Sequence, residues 1–164
     1  MYLKVNSLIL ALGVLASGLT LAQQDDFKQP LHIDSDHQSA DGKRNIAVWE
    51  KNVKIRQGSL AIDADFLQIE RRSEAGNEIL IARGKPATYQ QTLDSGKTVK
   101  AQANEIRYER SNSQLVLSGD AQFSQDGSLV QSKRITYNIN TQQMNAESGE
   151  GKQVTTVLQP TRDQ

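Results

Sequence analysis

The chain has 164 residues, enough for one ordinary domain and not comfortably for two. Its 19 lysines and arginines balance 19 aspartates and glutamates, so the formal net charge is zero, which argues against nucleic-acid binding by phosphate neutralisation. Cysteine is absent, which excludes disulfide scaffolds, Cys-based zinc sites and thiol catalysis. Aromatics make up only 5% of the residues, and the aliphatics are spread singly between Gln, Asn, Ser and Thr. That pattern suits a thin β structure whose strands each bury one face.

Met1 to Ala22 has the plan of a secretory signal peptide. Lys4 supplies a short basic start, Val5 to Leu21 is mostly aliphatic, and Ala22 offers a small residue at the cut. The alternative is an uncleaved anchor, for which a run of about 17 residues broken by Asn6, Ser7 and Ser17 is marginal. Cleavage after Ala22 removes 22 of 164 residues and leaves one domain, 23–164, of 142 residues. Only Lys4 is lost among the charges, so 18 basic residues face 19 acidic ones and the net charge becomes −1. An exported chain without disulfides draws its stability from the fold itself.

From Leu31 onward the hydrophobic period is two, the mark of half-buried strands. Val53-Lys-Ile55, Leu60-Ala-Ile62, Leu67-Gln-Ile69, Val99-Lys-Ala101, Ile106-Arg-Tyr108, Leu115-Val-Leu117 and Ile135-Thr-Tyr137 all alternate. Turn signals punctuate them at Asp41-Gly42, Gln57-Gly58, Gly76-Asn77, Asp94-Ser-Gly96, Asp126-Gly127 and Gly149-Glu-Gly151. The spacing predicts an all-β domain of about 16 short strands. A repeat underlies it, with polar anchors at Asp36, Asp65, Asn104 and Lys133. Each anchor is followed by a second strand that runs into a turn, at Lys51-Asn52, Gly84-Lys85, Gly119-Asp120 and Gly149-Glu150. The longer interval between the second and third anchors suggests an inserted hairpin from Thr88 to Thr98. Repeats of this kind stack, and an open stack leaves unpaired edges. The first edge is Leu31-His32-Ile33. The last is Val154-Thr155-Thr156-Val157-Leu158, which is largely β-branched and uncharged.

Three segments invite a chemical reading. His32, Asp34 and Asp36, with His37 beside them, supply metal-ligand types on one strand face, although plain strand alternation makes them the solvated face opposite Ile33 and Ser35. Gly96-Lys97-Thr98 has the end of a phosphate-binding loop but lacks its first glycine and the helix that should follow. Asp63 and Asp65 are of the type used in glycoside chemistry, yet Asp65 occupies a repeated and therefore structural position. No Ser-His-Asp, GxSxG or HExxH pattern is present, so the expectation is a protein that is not an enzyme and has no catalytic residue, metal or cofactor. What remains is the inward face: Leu31, Ile33, Val53, Ile55, Leu60, Ile62, Leu67, Ile69, Tyr89, Tyr108, Leu117, Phe123, Ile135, Tyr137 and Ile139. Periodicity alone leaves two readings open, an ordinary core or a surface for acyl chains.

Four segments carry a family resemblance: Gln29-Pro-Leu-His-Ile-Asp-Ser-Asp36, Gly84-Lys-Pro-Ala-Thr-Tyr89, Lys133-Arg-Ile-Thr-Tyr137 and Val154-Thr-Thr-Val-Leu158. In this order, across the whole mature chain, they resemble the LptA-like (OstA-like) family of periplasmic lipopolysaccharide-transport proteins. The resemblance implies a single twisted β-jellyroll of antiparallel strands, V-shaped in section and open at both ends. It implies lipopolysaccharide as ligand, with lipid A held in the interior at Leu31, Ile33, Tyr89 and Tyr108; Ile55, Ile62, Phe123 and Tyr137, on the same inward face, are the further lipid-binding candidates. It implies docking through the Leu31–Ile33 and Val154–Leu158 edges to LptC-like and LptD-like jellyrolls and to further copies head to tail. Such a protein bridges the inner-membrane LptBFGC transporter and the outer-membrane LptD/LptE complex. The alternative is a scaffold of the same fold that docks to proteins and binds no lipid.

Overall fold

The computed structural model describes residues 26–72 and 77–160. The expected signal peptide, its cut after Ala22 and Gly76 of one turn lie outside the described residues. Ten strands follow a short 3₁₀ turn at Asp26–Lys28: β1 His32–Asp34, β2 His37–Asp41, β3 Ile46–Gln57, β4 Leu60–Arg71, β5 Glu78–Thr92, β6 Thr98–Glu109, β7 Gln114–Gln125, β8 Ser128–Asn138, β9 Met144–Glu147 and β10 Thr155–Val157. All pair antiparallel in one sheet, in the order β1-β3-β4-β5-β6-β7-β8-β10. β1 and β2 pair with the two halves of β3. β10 and β9 do the same for β8. The sheet is therefore open, with one composite edge at each end.

Six of the strands are long because each passes through an irregularity at its middle. Pairing slips between Glu50 and Val53, Asp63 and Phe66, Arg83 and Ala87, Gln102 and Glu105, and Ser118 and Ala121. These bulges line up into a column across the sheet, and at such a column the strands bend. Counting the arms of β3 to β8 on either side of it separately, with the four short strands, recovers the 16 segments expected from alternation. Covalently and in hydrogen bonding they are ten strands, because a bulge interrupts alternation without turning the chain back.

The repeat has the same origin. Lys51-Asn52, Gly84-Lys85 and Gly119-Asp120 are bulges within strands and not turns between them. Two of the anchors lie against them, Asp36 from the bend between β1 and β2 and Asn104 from β6. Asn52 Nδ2 donates to Asp36 Oδ2 at 2.7 Å, and the Asp36 N–H donates to the Lys51 carbonyl at 3.0 Å. Asn104 sits so close to Gly119 that a Cβ there would come within 2.7 Å of its side-chain nitrogen, and Gly119 has φ +79°. Only glycine meets both conditions without strain. The residues Thr88–Thr98 are not an insertion. They are the end of β5, its turn and the start of β6, and the extra length of that unit is spread over slightly longer arms and loops.

Alternation then places one side chain of every pair inside. The inner face beside the crease is lined by Ala64, Ala87, Ala103 and Ala121, of which the last three are fully buried. Small side chains let the two arms of the sheet come together there. Phe123 lies in the arm that pairs with Val130, and Tyr137 in the arm that pairs with Leu115. Their ring centroids are nevertheless 4.6 Å apart, so the two arms face each other across the interior.

Candidate functional site

The interior is bounded by rows of paired residues that run across the strands from edge to edge. In one arm the row is Ile33, Ile55, Ile62, Tyr89, Ala101, Phe123 and Val130, ending at Thr156 of β10. In the other arm one row is Leu67, Ala82, Ile106, Leu117, Ile135 and Ala146. A second is Ala47, Ile69, Leu80, Tyr108, Leu115, Tyr137 and Met144. Period-two alternation forces this arrangement, since each strand contributes the same face at the same register.

The sequence-expected lining residues Ile55, Ile62, Tyr89, Tyr108, Phe123 and Tyr137 are all buried in this one cluster. Ile33 is half-buried against it. Leu31 departs from them: it is 43% exposed. It lines, with Ile33, Ala47, Trp49 and Ile69, an open apolar groove of about 380 Å³ at the β1/β2 edge. That groove is the open end of the interior. Further in, the arms close on each other, and Leu60, Ile62, Leu80, Tyr89, Gln91, Tyr108 and Ile139 surround a void of only about 10 Å³. Burial raises the titration of all three interior tyrosines. For Tyr89 the neighbouring Tyr108, Tyr137 and Asp26 add to it. Each of these phenols is therefore a neutral hydroxyl at physiological pH.

Alternation missed a polar latch at the lip of the interior. Asp26 is 4% exposed. It accepts from the Ser59 N–H at 2.7 Å and the Ser59 hydroxyl at 2.6 Å. Gln91 Nε2 donates to it at 2.9 Å, and the Tyr89 hydroxyl donates to Gln91 Oε1. Gln91 was detectable, because it is a polar residue at an inward position of the Tyr89-Gln90-Gln91 alternation. Asp26 was not, because its partners are more than 30 residues away. Asp26→Ala leaves the buried Gln91 amide without its acceptor and removes two acceptor contacts from half-buried Ser59, and urea unfolding is expected to show a loss of about 1–3 kcal/mol. An unchanged midpoint would mean the 3₁₀ turn is not latched in solution.

The other chemical candidates fall on the outer surface. His32, Asp34, Asp36 and His37 are exposed, and Asp36 is engaged by Asn52. Among the described residues no group of three or more His, Asp or Glu side chains is placed to hold a metal ion. Asp63 pairs with Arg56 at 2.8 Å, and Asp65 is the exposed residue of a bulge. Lys97 sits in the β5–β6 turn and reaches Asp126 of the next turn at 2.8 Å. The edge residues stand where the sequence placed them. Leu31, His32 and Ile33 adjoin or form β1, and Val154 to Leu158 contain β10. Among the described residues the exposed large hydrophobics are Leu31, Met144, Val154, Val157 and Leu158, and every one lies at an edge of the sheet.

Residues 32–143 match the family model described as LptA/(LptD N-terminal domain) LPS transport protein. The chain is 39% identical over 158 residues to the lipopolysaccharide export system protein LptA of Escherichia coli K12, covering 95% of this chain and 85% of the relative. It is 39% identical over 157 residues to the LptA of Haemophilus influenzae, covering 94% and 91%. The crystal structure of LptH from Pseudomonas aeruginosa, described as the LptA-homologous periplasmic component of the lipopolysaccharide transport device, superposes with a TM-score of 0.75 at 26% identity. That match covers 82% of this chain and 99% of that one.

Proposed function

The chain belongs to the LptA/LptD N-terminal-domain family of lipopolysaccharide-transport proteins, and from that premise we propose that it is a periplasmic bridge component carrying lipopolysaccharide with its acyl chains between the two arms of the sheet. The observation that carries this reading is the unbroken inward row from Ile33 to Val130, apolar apart from the Tyr89 hydroxyl, which runs from the β1 edge across to β8 and meets Thr156 of the β10 edge. Each methylene buried there gains about 0.8 kcal/mol, so several acyl chains are held without any charged site. Parting the arms exchanges contacts between apolar walls for contacts with apolar chains, which keeps the cost of opening low once the lipid is present.

Transport along a bridge requires the row to continue into the next molecule. The β1/β2 edge and the β9/β10 edge carry the unpaired backbone groups and the exposed apolar side chains that support strand addition. Head-to-tail joining of two different edges does not close, so copies of this chain extend in a line. LptC-like and LptD-like jellyrolls are the proposed terminal partners. In this scheme the driving energy comes from the upstream transporter and the chain supplies only a path.

The tight closure of the arms favours a second reading, in which the protein is a docking scaffold with an ordinary core. A photoreactive apolar residue at Ile33 or Tyr108 separates the two. The proposal expects adducts with lipopolysaccharide from both sites and none from the outward Lys54. Adducts from Lys54 alone contradict the interior path, and a complete lack of adducts favours the scaffold.

A further inference from the structure

Three tyrosine hydroxyls are carried into the interior, and they differ in how they are satisfied. Tyr89 donates to Gln91. Tyr108 is hydrogen-bonded with Ser113. The Tyr137 hydroxyl is buried and has no hydrogen-bond partner among the described residues. Tyr137 is 2% exposed, and its ring is fixed against Phe123 from the opposite arm. A phenylalanine would fill the same space without the cost of an orphaned hydroxyl.

We propose that the Tyr137 hydroxyl is the fixed donor that receives a carbonyl oxygen of an acyl chain drawn between the arms. The inference rests on the lipid-carrying reading above and names the polar contact within it. The chemistry of the site selects this acceptor. The hydroxyl is neutral and can donate. Among the described residues the buried polar or charged side chains are Asp26 and Gln91, with no lysine or arginine, so a phosphate or carboxylate would be desolvated there without a counter-charge. An acyl linkage carries its own uncharged acceptor into apolar surroundings. When the arms part around a chain, that carbonyl meets a donor that β8 already carries on its inward face, and the buried hydroxyl is satisfied only in the loaded state.

The test compares the mature wild type with Tyr137→Phe, using purified lipopolysaccharide and the same material stripped of its ester-linked chains by mild alkali. Without lipid, Tyr137→Phe is expected to resist urea at least as well as the wild type. With lipopolysaccharide it is expected to bind roughly five-fold more weakly, the effect of one neutral hydrogen bond. The infrared ester carbonyl band, which lies clear of the protein amide band, is expected to move to lower frequency on the wild type and to move less on the variant. If the affinity difference persists with alkali-treated lipid, the acceptor is an amide carbonyl; if it vanishes, the acceptor is an ester. Equal affinity of wild type and variant for both lipids overturns the inference and leaves the lipid path standing. A wild type that binds neither lipid overturns both.

Discussion

Leu117→Ala is expected to unfold in urea with a free energy about 2–5 kcal/mol below that of the wild type. Leu117 is completely buried. It stands in the middle of the inward row formed by Leu67, Ala82, Ile106, Leu117, Ile135 and Ala146, with Ile106 and Ile135 directly opposite on the flanking strands. Truncation removes apolar atoms from contact on both sides and against the facing arm. The bulge column holds the backbone spacing, so the arms collapse only partly into the gap. No disulfide compensates, because the chain has no cysteine. A loss of this size is a large share of the about 5–15 kcal/mol that holds an ordinary domain folded. A change below about 1 kcal/mol would mean that the arms are not packed against each other in solution.

The fold class and the inward face were legible because one force writes both. A strand with one buried side must alternate, and Val53, Ile55, Leu60, Ile62, Leu67, Leu117 and Ile135 read inward correctly from period two alone. The position of the last edge was legible for another reason: Val154 to Leu158 is a largely β-branched, uncharged run at the end of the repeats, and β10 ends the sheet. The bulge column was not legible as such. Lys51-Asn52 and Gly119-Asp120 have turn-like composition because their backbones take positive φ, and composition does not distinguish a bulge from a reversal. Leu31 read as inward by extrapolating alternation one residue past β1, where no neighbouring strand enforces it. The buried Asp26 depends on Ser59 and Gln91, which only the folded sheet brings near. The closing of the two arms was also invisible, since periodicity reports which face is apolar and not what covers it.

Opening of those arms is where stability and transport meet, and the second large effect concerns it. Leu60 begins β4 in one arm, and Ile139 follows β8 in the other. Both border the same small void near the Asp26 lip. Since the natural sequence has no thiol, Leu60→Cys combined with Ile139→Cys gives one pair that a short thiol-specific bridging reagent can tether through reducible bonds. Tethering leaves the closed protein intact and forbids separation of the arms at this point. Lipopolysaccharide binding by the bridged variant is expected to fall to background and to return when the bridge is reduced, with the unbridged double variant binding throughout. Undiminished binding by the bridged protein would contradict the account, because the acyl chains would then be held somewhere other than between the arms.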